Sequence, residues 1–131
     1  STGAVMLRHR TLIEVLGQVN SADVTGAMLF NREGVLLAYN GYGEGNAANV
    51  SAALISSIWD AFDRKGTVAG REDLKEMIVM CEDGVMGATK VANMLLALKA
   101  TSSVQPGILR AKMHKLAQFL DEPLTQISKN I

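Results

Sequence analysis

The chain has 131 residues, 48% of them hydrophobic, and its 13 basic and 13 acidic residues give a formal net charge of zero. This length predicts one domain with a sizeable core, and the hydrophobic content excludes extended disorder. The balanced charge gives no indication of nucleic-acid binding or of attraction to an anionic membrane surface, and a neutral chain has little self-repulsion to oppose association.

The N-terminal part of the chain predicts a helix followed by a β-hairpin. Residues 1–5 are interpreted as a cloning remnant, so the predicted single domain spans residues 6–131. In residues 7–19 the apolar side chains share one helical face. They are Leu12, Val15, Leu16 and Val19. Two apolar runs, residues 27–30 and 35–39, then flank Asn-Arg-Glu-Gly, a turn sequence typical of hairpins.

The segment LLAYNGYGEGNAANVSAALISSIWDAF, residues 36–62, leads from this hairpin through a glycine-rich turn into a second helix. We expect the helix over residues 46–65, with Asn46 as its cap and an end before Gly66. The turn reads G-x-G-x-G, without the third glycine of the dinucleotide fingerprint or the Gly-Lys-Ser/Thr of a P-loop. Glu44 would also place a negative charge where phosphates bind. The pattern therefore favours a conformational role for the glycines over nucleotide binding.

Three strands are predicted in the second half of the chain, over residues 75–81, 85–91 and 93–99. The sequence Glu-Asp-Gly joins the first two, whereas the second turn, near Ala92, has no glycine or proline signal. Cys81 is the sole cysteine, so the chain forms no internal disulfide and no cysteine-rich metal site. Because it lies in an apolar strand, we expect it in the core.

A last helix is predicted from Pro106-Gly107 to its end at Pro123. Its apolar stripe consists of Leu109, Met113, Leu116 and Leu120. Short connections between successive strands indicate antiparallel neighbours. The sequence therefore predicts an α+β fold with one sheet of about five strands and helices packed on it.

No catalytic or metal-binding constellation is found. His9 and His114 each lie beside basic residues on predicted helices and are interpreted as parts of solvated helix faces. No serine has a histidine or acid in a recognisable nucleophile elbow. We therefore expect no enzyme activity, no cofactor and no metal. No apolar run approaches the ~20 residues that span a bilayer, so direct membrane insertion is not expected.

The predicted second helix has more apolar surface than one sheet can cover. At 100° per residue its large and small apolar side chains spread over ~200°, against ~100° for an ordinary surface helix. They are Val50, Ala61, Leu54, Ile58, Phe62, Ile55, Trp59 and Ala52. Either another helix of the same chain or a second chain covers the excess.

The strand KEMIVMC, residues 75–81, has five apolar residues in succession instead of the alternation of a one-sided strand. It follows a loop and is expected at a sheet edge. An open apolar edge invites aggregation, whereas pairing with a partner's edge would satisfy its backbone groups. This strand therefore favours a second chain as the partner.

Four segments, LLAYNGYG, SSIWDAFDRKG, TKVANMLLALKA and FLDEPLTQI, resemble the roadblock family, and within it the roadblock subunits of the late endosomal and lysosomal adaptor complex Ragulator. The resemblance runs from Met6 to the end of the chain. It implies the roadblock/longin-like order α-β-β-α-β-β-β-α, with a five-stranded antiparallel sheet, the middle helix on one face and the terminal helices on the other.

The resemblance also implies a function without catalysis. The family forms heterodimers with a second roadblock subunit, in which the middle helices pack together and the third strands join. It further implies other Ragulator subunits and Rag GTPases as partners, with support of nucleotide exchange, TOR kinase activation and, indirectly, a MAP kinase module. The complex is held on the cytoplasmic face of the late endosome or lysosome by a different, lipidated subunit.

Eight residues of the middle helix and third strand are the interface residues that this resemblance implies. They are Val50, Leu54, Ser57, Ile58, Ala61, Met77, Ile78 and Val79. Two alternatives stay open. One is a homodimeric cargo adaptor of the dynein light-chain branch of the same fold. The other is a small enzyme or ligand sensor that uses the turn of residues 41–45.

Overall fold

The computed structural model describes the backbone of residues 8–129 and the side chains of residues 8–126. The interpretation of residues 1–5 and the predicted domain start at residue 6 lie outside the described residues. The order of elements confirms the predicted α-β-β-α-β-β-β-α. The elements are α1 His9–Gly17, β1 Val24–Asn31, β2 Leu36–Asn40, α2 Ala47–Val68, β3 Glu76–Cys81, β4 Gly84–Val91, β5 Met94–Ala100 and α3 Pro106–Lys129.

The strands form one five-stranded antiparallel sheet in the order β2-β1-β5-β4-β3. Two hairpins, β1–β2 and β3–β4, are joined through the central strand β5, which pairs with both β1 and β4. Strand β3 lies at one edge, as predicted, and β2 lies at the other. The turn between β4 and β5 is made by Ala92 in the left-handed region, at φ 54°.

The helices divide between the two faces of the sheet and create two apolar cores. On one face, α1 and α3 bury side chains that include Leu16, Leu109 and Met113 against the sheet. On the other face, α2 is the one described helix that covers the sheet, chiefly with Ile55 and Trp59. The helical stripes predicted for the first and last helices are all buried. This layered arrangement confirms the fold that the resemblance implied.

The end of α2 lies beyond the predicted stop at Gly66, and the helix continues to Val68. The terminating glycine is Gly70, at φ 77°. The N–H of Arg71 donates to the carbonyl of Gly66 at 2.8 Å, and the N–H of Gly70 donates to Thr67 at 3.0 Å. These two bonds are the Schellman arrangement that satisfies the last carbonyls of a helix. The prediction was wrong because glycine inside a helix costs only about 1 kcal/mol, which neighbouring contacts can offset.

The start of α2 lies where it was predicted, but the predicted side-chain cap does not form. Asn46 occupies the N-cap position, yet its side chain forms no capping hydrogen bond. Its backbone carbonyl accepts the N–H of Val50 at 3.0 Å.

Pro123 does not end α3, because the helix continues through it to Lys129. A proline in a helix removes one backbone hydrogen bond and strains the preceding turn. Here Leu120 and Leu124, on either side of Pro123, are both buried, with 0% and 2% of their surface exposed. Burial of the turn that follows the proline therefore offsets the local cost.

Cys81 is exposed, and the expectation that it lies in the core was wrong. It is the last residue of the edge strand, paired with Gly84 across the tight turn to β4. An apolar run in the sequence does not distinguish a strand in the middle of the sheet from an edge strand, whose last residue can stay exposed.

Glycine is required where the chain leaves β2, as the conformational interpretation of the turn predicts. Gly41, Gly43 and Gly45 have φ values of 86°, 68° and 90°. A Cβ at Gly41 would lie 2.1 Å from the carbonyl oxygen of Thr25, whereas one at Gly43 would have nothing within 4 Å.

We therefore expect Gly41→Ala to destabilise the fold by about 2–4 kcal/mol, through left-handed strain plus a steric clash with the neighbouring backbone. Gly43→Ala carries the strain alone and should cost about 1 kcal/mol. Urea unfolding of both variants measures the difference. Equal losses of stability would show that close backbone approach at Gly41 contributes nothing.

Candidate interaction surface

Helix α2 has one apolar face against the sheet and a second that no other described element covers. The buried face includes Ala52, Ile55 and Trp59, each with no more than 1% of its surface exposed. On the other face Leu54 and Phe62 are exposed to 54% and 55%. Helices α1 and α3 pack on the opposite face of the sheet, so neither is the helix that could have covered this excess.

Strand β3 is apolar on both of its faces. Met77 is buried beneath α2, and Val79 packs at the margin of the same core. Ile78 and Met80 point to the other face and are exposed to 39% and 76%. Within residues 8–129, β4 is the only strand that pairs with β3.

The backbone of β3 also presents hydrogen-bonding groups away from the sheet. The N–H of Lys90 donates to the carbonyl of Lys75 at 3.4 Å, so residue 75 directs its backbone towards β4. Backbone groups alternate in direction along an antiparallel strand. The N–H and C=O groups of Glu76, Ile78 and Met80 therefore point outward, where an added strand would bind.

The exposed face of α2 adjoins this edge. Leu54 and Cys81 line the same cleft of ≈ 420 Å³, at the end of the β3–β4 hairpin. Phe62 and Glu76 line another cleft of ≈ 410 Å³, at the start of β3. The helix face and the strand edge thus form one continuous surface, here called the α2–β3 surface. Its large exposed apolar side chains are Val50, Leu54 and Phe62 on α2, while Ile78 and Met80 flank the β3 edge on the opposite face of the sheet.

The interface residues that the resemblance implied all lie on or beside this surface, but not all are accessible. Val50, Leu54, Ser57, Ala61 and Ile78 are exposed, and Ile58 and Val79 are half-buried. Met77 is 8% exposed, so it can contribute only through its position beneath the surface. The interface set omitted Phe62 and Met80, although both stood in the apolar patterns of the helix and strand.

The opposite edge of the sheet, β2, is protected. Its register shifts at a bulge opposite Leu29 and Phe30. The carbonyl of Leu37 accepts a hydrogen bond from His9 Nε2 at 2.9 Å. Bulges and covered backbone groups are the usual means by which proteins prevent edge-to-edge pairing. Strand β3 keeps an unbroken register from Glu76 to Cys81, so the two edges differ in their readiness to pair.

Both histidines are on exposed helix faces, as predicted, but each also bonds an edge strand. His9 bonds β2, and His114 Nε2 bonds the carboxylate of Glu76 at the start of β3. Within the described residues no group of three His, Cys, Asp or Glu side chains is placed to hold a metal ion. None of the helices described has the length and hydropathy to span a bilayer.

The glycine turn beside β2 has no phosphate-binding character. Its central side chain, Tyr42, is buried, and burial raises the pKa of its phenol. The ammonium of Lys99 lies 4.8 Å from the centre of the Tyr42 ring. Lys99 thus contacts the face of the Tyr42 ring. Glu44 is exposed on the turn, where its negative charge would oppose phosphate binding.

Asp63 fixes the polar side of α2 to the loops around it. Its carboxylate accepts the backbone N–H of Leu74 at 2.8 Å and pairs with Arg32 at 3.3 Å. The hydrogen bond from Leu74, together with Arg32, holds the pKa of Asp63 below its usual value. Asp63 therefore joins the β1–β2 turn, α2 and the start of β3, and keeps the apolar face of α2 directed away from the hairpin.

Asp63→Asn is expected to lower stability at neutral pH and to flatten its decline in acid. Because the folded-state pKa is the lower one, the stabilisation is present above the unfolded-state value of about 4 and is lost as pH falls through the folded-state pKa. Urea unfolding between about pH 7 and pH 3 measures this. Asp60→Asn is the control, since the pair that Asp60 forms with Arg64 among the described residues is exposed and of a kind worth little. Parallel pH profiles for wild type and Asp63→Asn would refute the assignment.

The sequence of this chain is similar to that of a known protein family. Residues 13–100 match the Roadblock/LC7 domain family. The Ragulator complex protein LAMTOR2 homolog of Caenorhabditis elegans is 48% identical over 128 residues, covering 96% of this chain and 99% of that protein.

Solved structures share the fold at low identity. A Roadblock/LC7 domain from Streptomyces avermitilis superposes with a TM-score of 0.78 at 17% identity, covering 86% of this chain and 96% of that one. The gliding protein MglB of Thermus thermophilus gives 0.74 at 17% identity, covering 94% of this chain and 92% of that one. At these identities the likeness shows the fold alone.

Proposed function

The chain belongs to the Roadblock/LC7 family, and on that premise we propose that it is a non-catalytic adaptor subunit of a Ragulator complex, which pairs with a second roadblock subunit through the α2–β3 surface. The identity of 48% to a Ragulator subunit, over nearly the whole of both chains, supports the assignment to that complex. The pairing mode rests on the geometry of this chain.

The observation that carries the proposal is an uncovered apolar helix face beside an unprotected strand edge. Either feature alone would be ordinary, because single exposed apolar residues are common. Together they form a contiguous patch with a row of outward-pointing backbone groups, as expected for a site of strand addition. A partner of the same fold offers the complementary pair, an α2-like helix and a β3-like edge.

In the proposed complex the two β3 strands run antiparallel and make one continuous sheet. The outward backbone groups of Glu76, Ile78 and Met80 then find partners. The two middle helices pack side by side on one face of that sheet and bury Leu54 and Phe62. The exposed small side chains of Ser57 and Ala61 lie on the same region of α2 and allow close approach of the second helix.

The wider role follows from complex membership and is part of the proposal. We infer that the subunit works with the other Ragulator subunits in Rag GTPase recruitment and nucleotide exchange, and so in TOR kinase activation and MAP kinase signalling. It would lie on the cytoplasmic face of late endosomes and lysosomes, held there by a lipidated partner subunit. We also take residues 6–131 as its single domain.

A homodimeric cargo adaptor of the dynein light-chain type is the second candidate, since the same surface would serve a second copy of the chain. The identity to a Ragulator subunit favours the first candidate. Size-exclusion chromatography with light scattering separates the two, using the chain alone and mixed with a second roadblock subunit of Ragulator. We expect a one-to-one heterodimer that displaces any self-association. A tight homodimer indifferent to the added subunit would overturn the proposal in favour of the second candidate.

A further inference from the structure

The edge strand β3 has one charged side chain, Glu76, and it is held by two side chains of α3, Arg110 and His114. Arg110 approaches one carboxylate oxygen of Glu76 at 2.6 Å, and His114 Nε2 bonds the other. Arg110 and His114 are one helical turn apart, so they face the same point on the sheet. Both of them extend from α3, on the face of the sheet opposite to α2.

The carboxylate is thereby restrained and partly removed from solvent, with 27% of the side chain exposed. Burial acts to raise the pKa of Glu76, but the hydrogen bonds from His114 and Arg110 outweigh it, and the pKa stays below its usual value. The neighbouring strand β4 contributes no titratable group to this face. Its side chains there are Val85, Thr89 and Val91, with Gly87 between them.

Charge on an edge strand normally works against pairing. Proteins place charged side chains on exposed edges because a second strand would have to desolvate them. Glu76 is at such a position, since its backbone groups point outward and a paired residue would lie about 5 Å from its Cβ. A carboxylate that is bonded on both oxygens loses part of this protective effect, because Arg110 offsets its charge and one acceptor site on each oxygen is already used.

We propose that Arg110 and His114 are positioning residues that keep the β3 edge open to strand pairing, by drawing the Glu76 carboxylate onto α3 and neutralising it. The inference rests on the proposed function and specifies which partner the edge accepts. That partner is a strand that presents an apolar or neutral side chain opposite Glu76. A strand with a basic residue there gains little, because the carboxylate is already bound.

A simpler role must be separated from this one, namely that the ion pairs only fasten α3 to β3. The two roles make opposite predictions for Glu76→Gln. If the contacts only fasten the helix, removing the carboxylate does the same harm as removing the two α3 side chains. If Arg110 and His114 act by holding and offsetting the carboxylate, Glu76→Gln is harmless and restores binding when the two α3 side chains are replaced.

The experiment measures the Kd of the chain for a second roadblock subunit of Ragulator by isothermal titration calorimetry, with a thermal melt of every variant. The variants are Arg110→Gln/His114→Gln, Glu76→Gln and the triple combination. Lys115→Gln is the matched control, because Lys115 is an exposed cation of α3 outside the pairs that Arg110 and His114 form with Glu76. If the double variant loses its cooperative melt, Arg110→Gln alone and with Glu76→Gln takes its place.

We expect the double variant to bind about ten-fold or more weakly, a change of about 1.4 kcal/mol or more. Glu76→Gln, the triple variant and Lys115→Gln should each stay within about three-fold of wild type. Unchanged binding by the double variant, a loss with Glu76→Gln alone, or a loss in the double variant that the triple variant does not relieve, would overturn the inference and leave the proposed function standing. Failure of the wild-type chain to bind would overturn both.

Discussion

Leu54→Asp is expected to abolish pairing with the second roadblock subunit while the chain still folds. Leu54 is 54% exposed in the isolated chain, so an aspartate there meets water and the fold tolerates it. In the proposed complex the same carboxylate would be buried in the contact between the two middle helices, and an unpaired buried charge is costly. We expect Kd to rise by about 100-fold or more, measured by calorimetry or by loss of co-purification.

Asn49→Asp is the matched control for this variant. Asn49 is exposed on the polar side of the same helix, so the substitution adds the same charge at a distance from the α2–β3 surface. It should bind the partner as wild type does. Undiminished binding by Leu54→Asp, or equal loss in both variants, would show that this face of α2 is not the interface.

Trp59→Ala is expected to have the largest effect on stability. Trp59 has none of its surface exposed and is the largest fully buried side chain between α2 and the sheet. It packs in the cluster that contains Phe30, Met77 and Leu95. Truncating a buried tryptophan costs about 3–5 kcal/mol, which is a large part of the roughly 5–15 kcal/mol typical of a domain. Urea unfolding followed by far-ultraviolet circular dichroism measures the loss.

Trp59→Phe tests whether the loss of stability in Trp59→Ala comes from lost packing volume. The indole Nε1 of Trp59 is buried and has no hydrogen-bond partner among the described residues. Replacement by phenylalanine therefore removes part of the ring without breaking a polar contact, and should cost less than half as much as Trp59→Ala. Equal losses for the two variants would contradict the packing explanation.

The position of β3 could be predicted from the sequence, whereas the environments of Cys81 and β2 could not. The unbroken apolar run of residues 75–81 predicted an edge strand that pairs with a second chain, and β3 does lie at the edge of the sheet. The same run predicted a buried Cys81, which is exposed, because an apolar run does not reveal which residues of an edge strand stay uncovered. It also gave no sign that β2, the other edge, is closed by a bulge and by His9, since the His9 contact joins residues 28 positions apart.

The predicted ends of α2 and α3 were also wrong because they depend on contacts that neighbouring residues do not reveal. Gly66 and Pro123 are local stop signals, yet both lie inside helices. Packing of the following turn against the core outweighs the local preference at Pro123, and the true end of α2 depends on backbone bonds around Gly70. Local propensity differs by a few kcal/mol at most, so tertiary burial decides where an element ends.

The sequence by itself determined the order of elements and the excess of apolar surface on α2, because helical and strand periods are recorded in neighbouring residues. Only the tertiary structure decided that Met77 is buried while Met80 is exposed, and that Glu76 is bound to Arg110 and His114. These outcomes depend on contacts between residues far apart in the chain. Such contacts form only in the folded chain, because packing of the helices on the sheet decides which side chains are buried and which stay exposed.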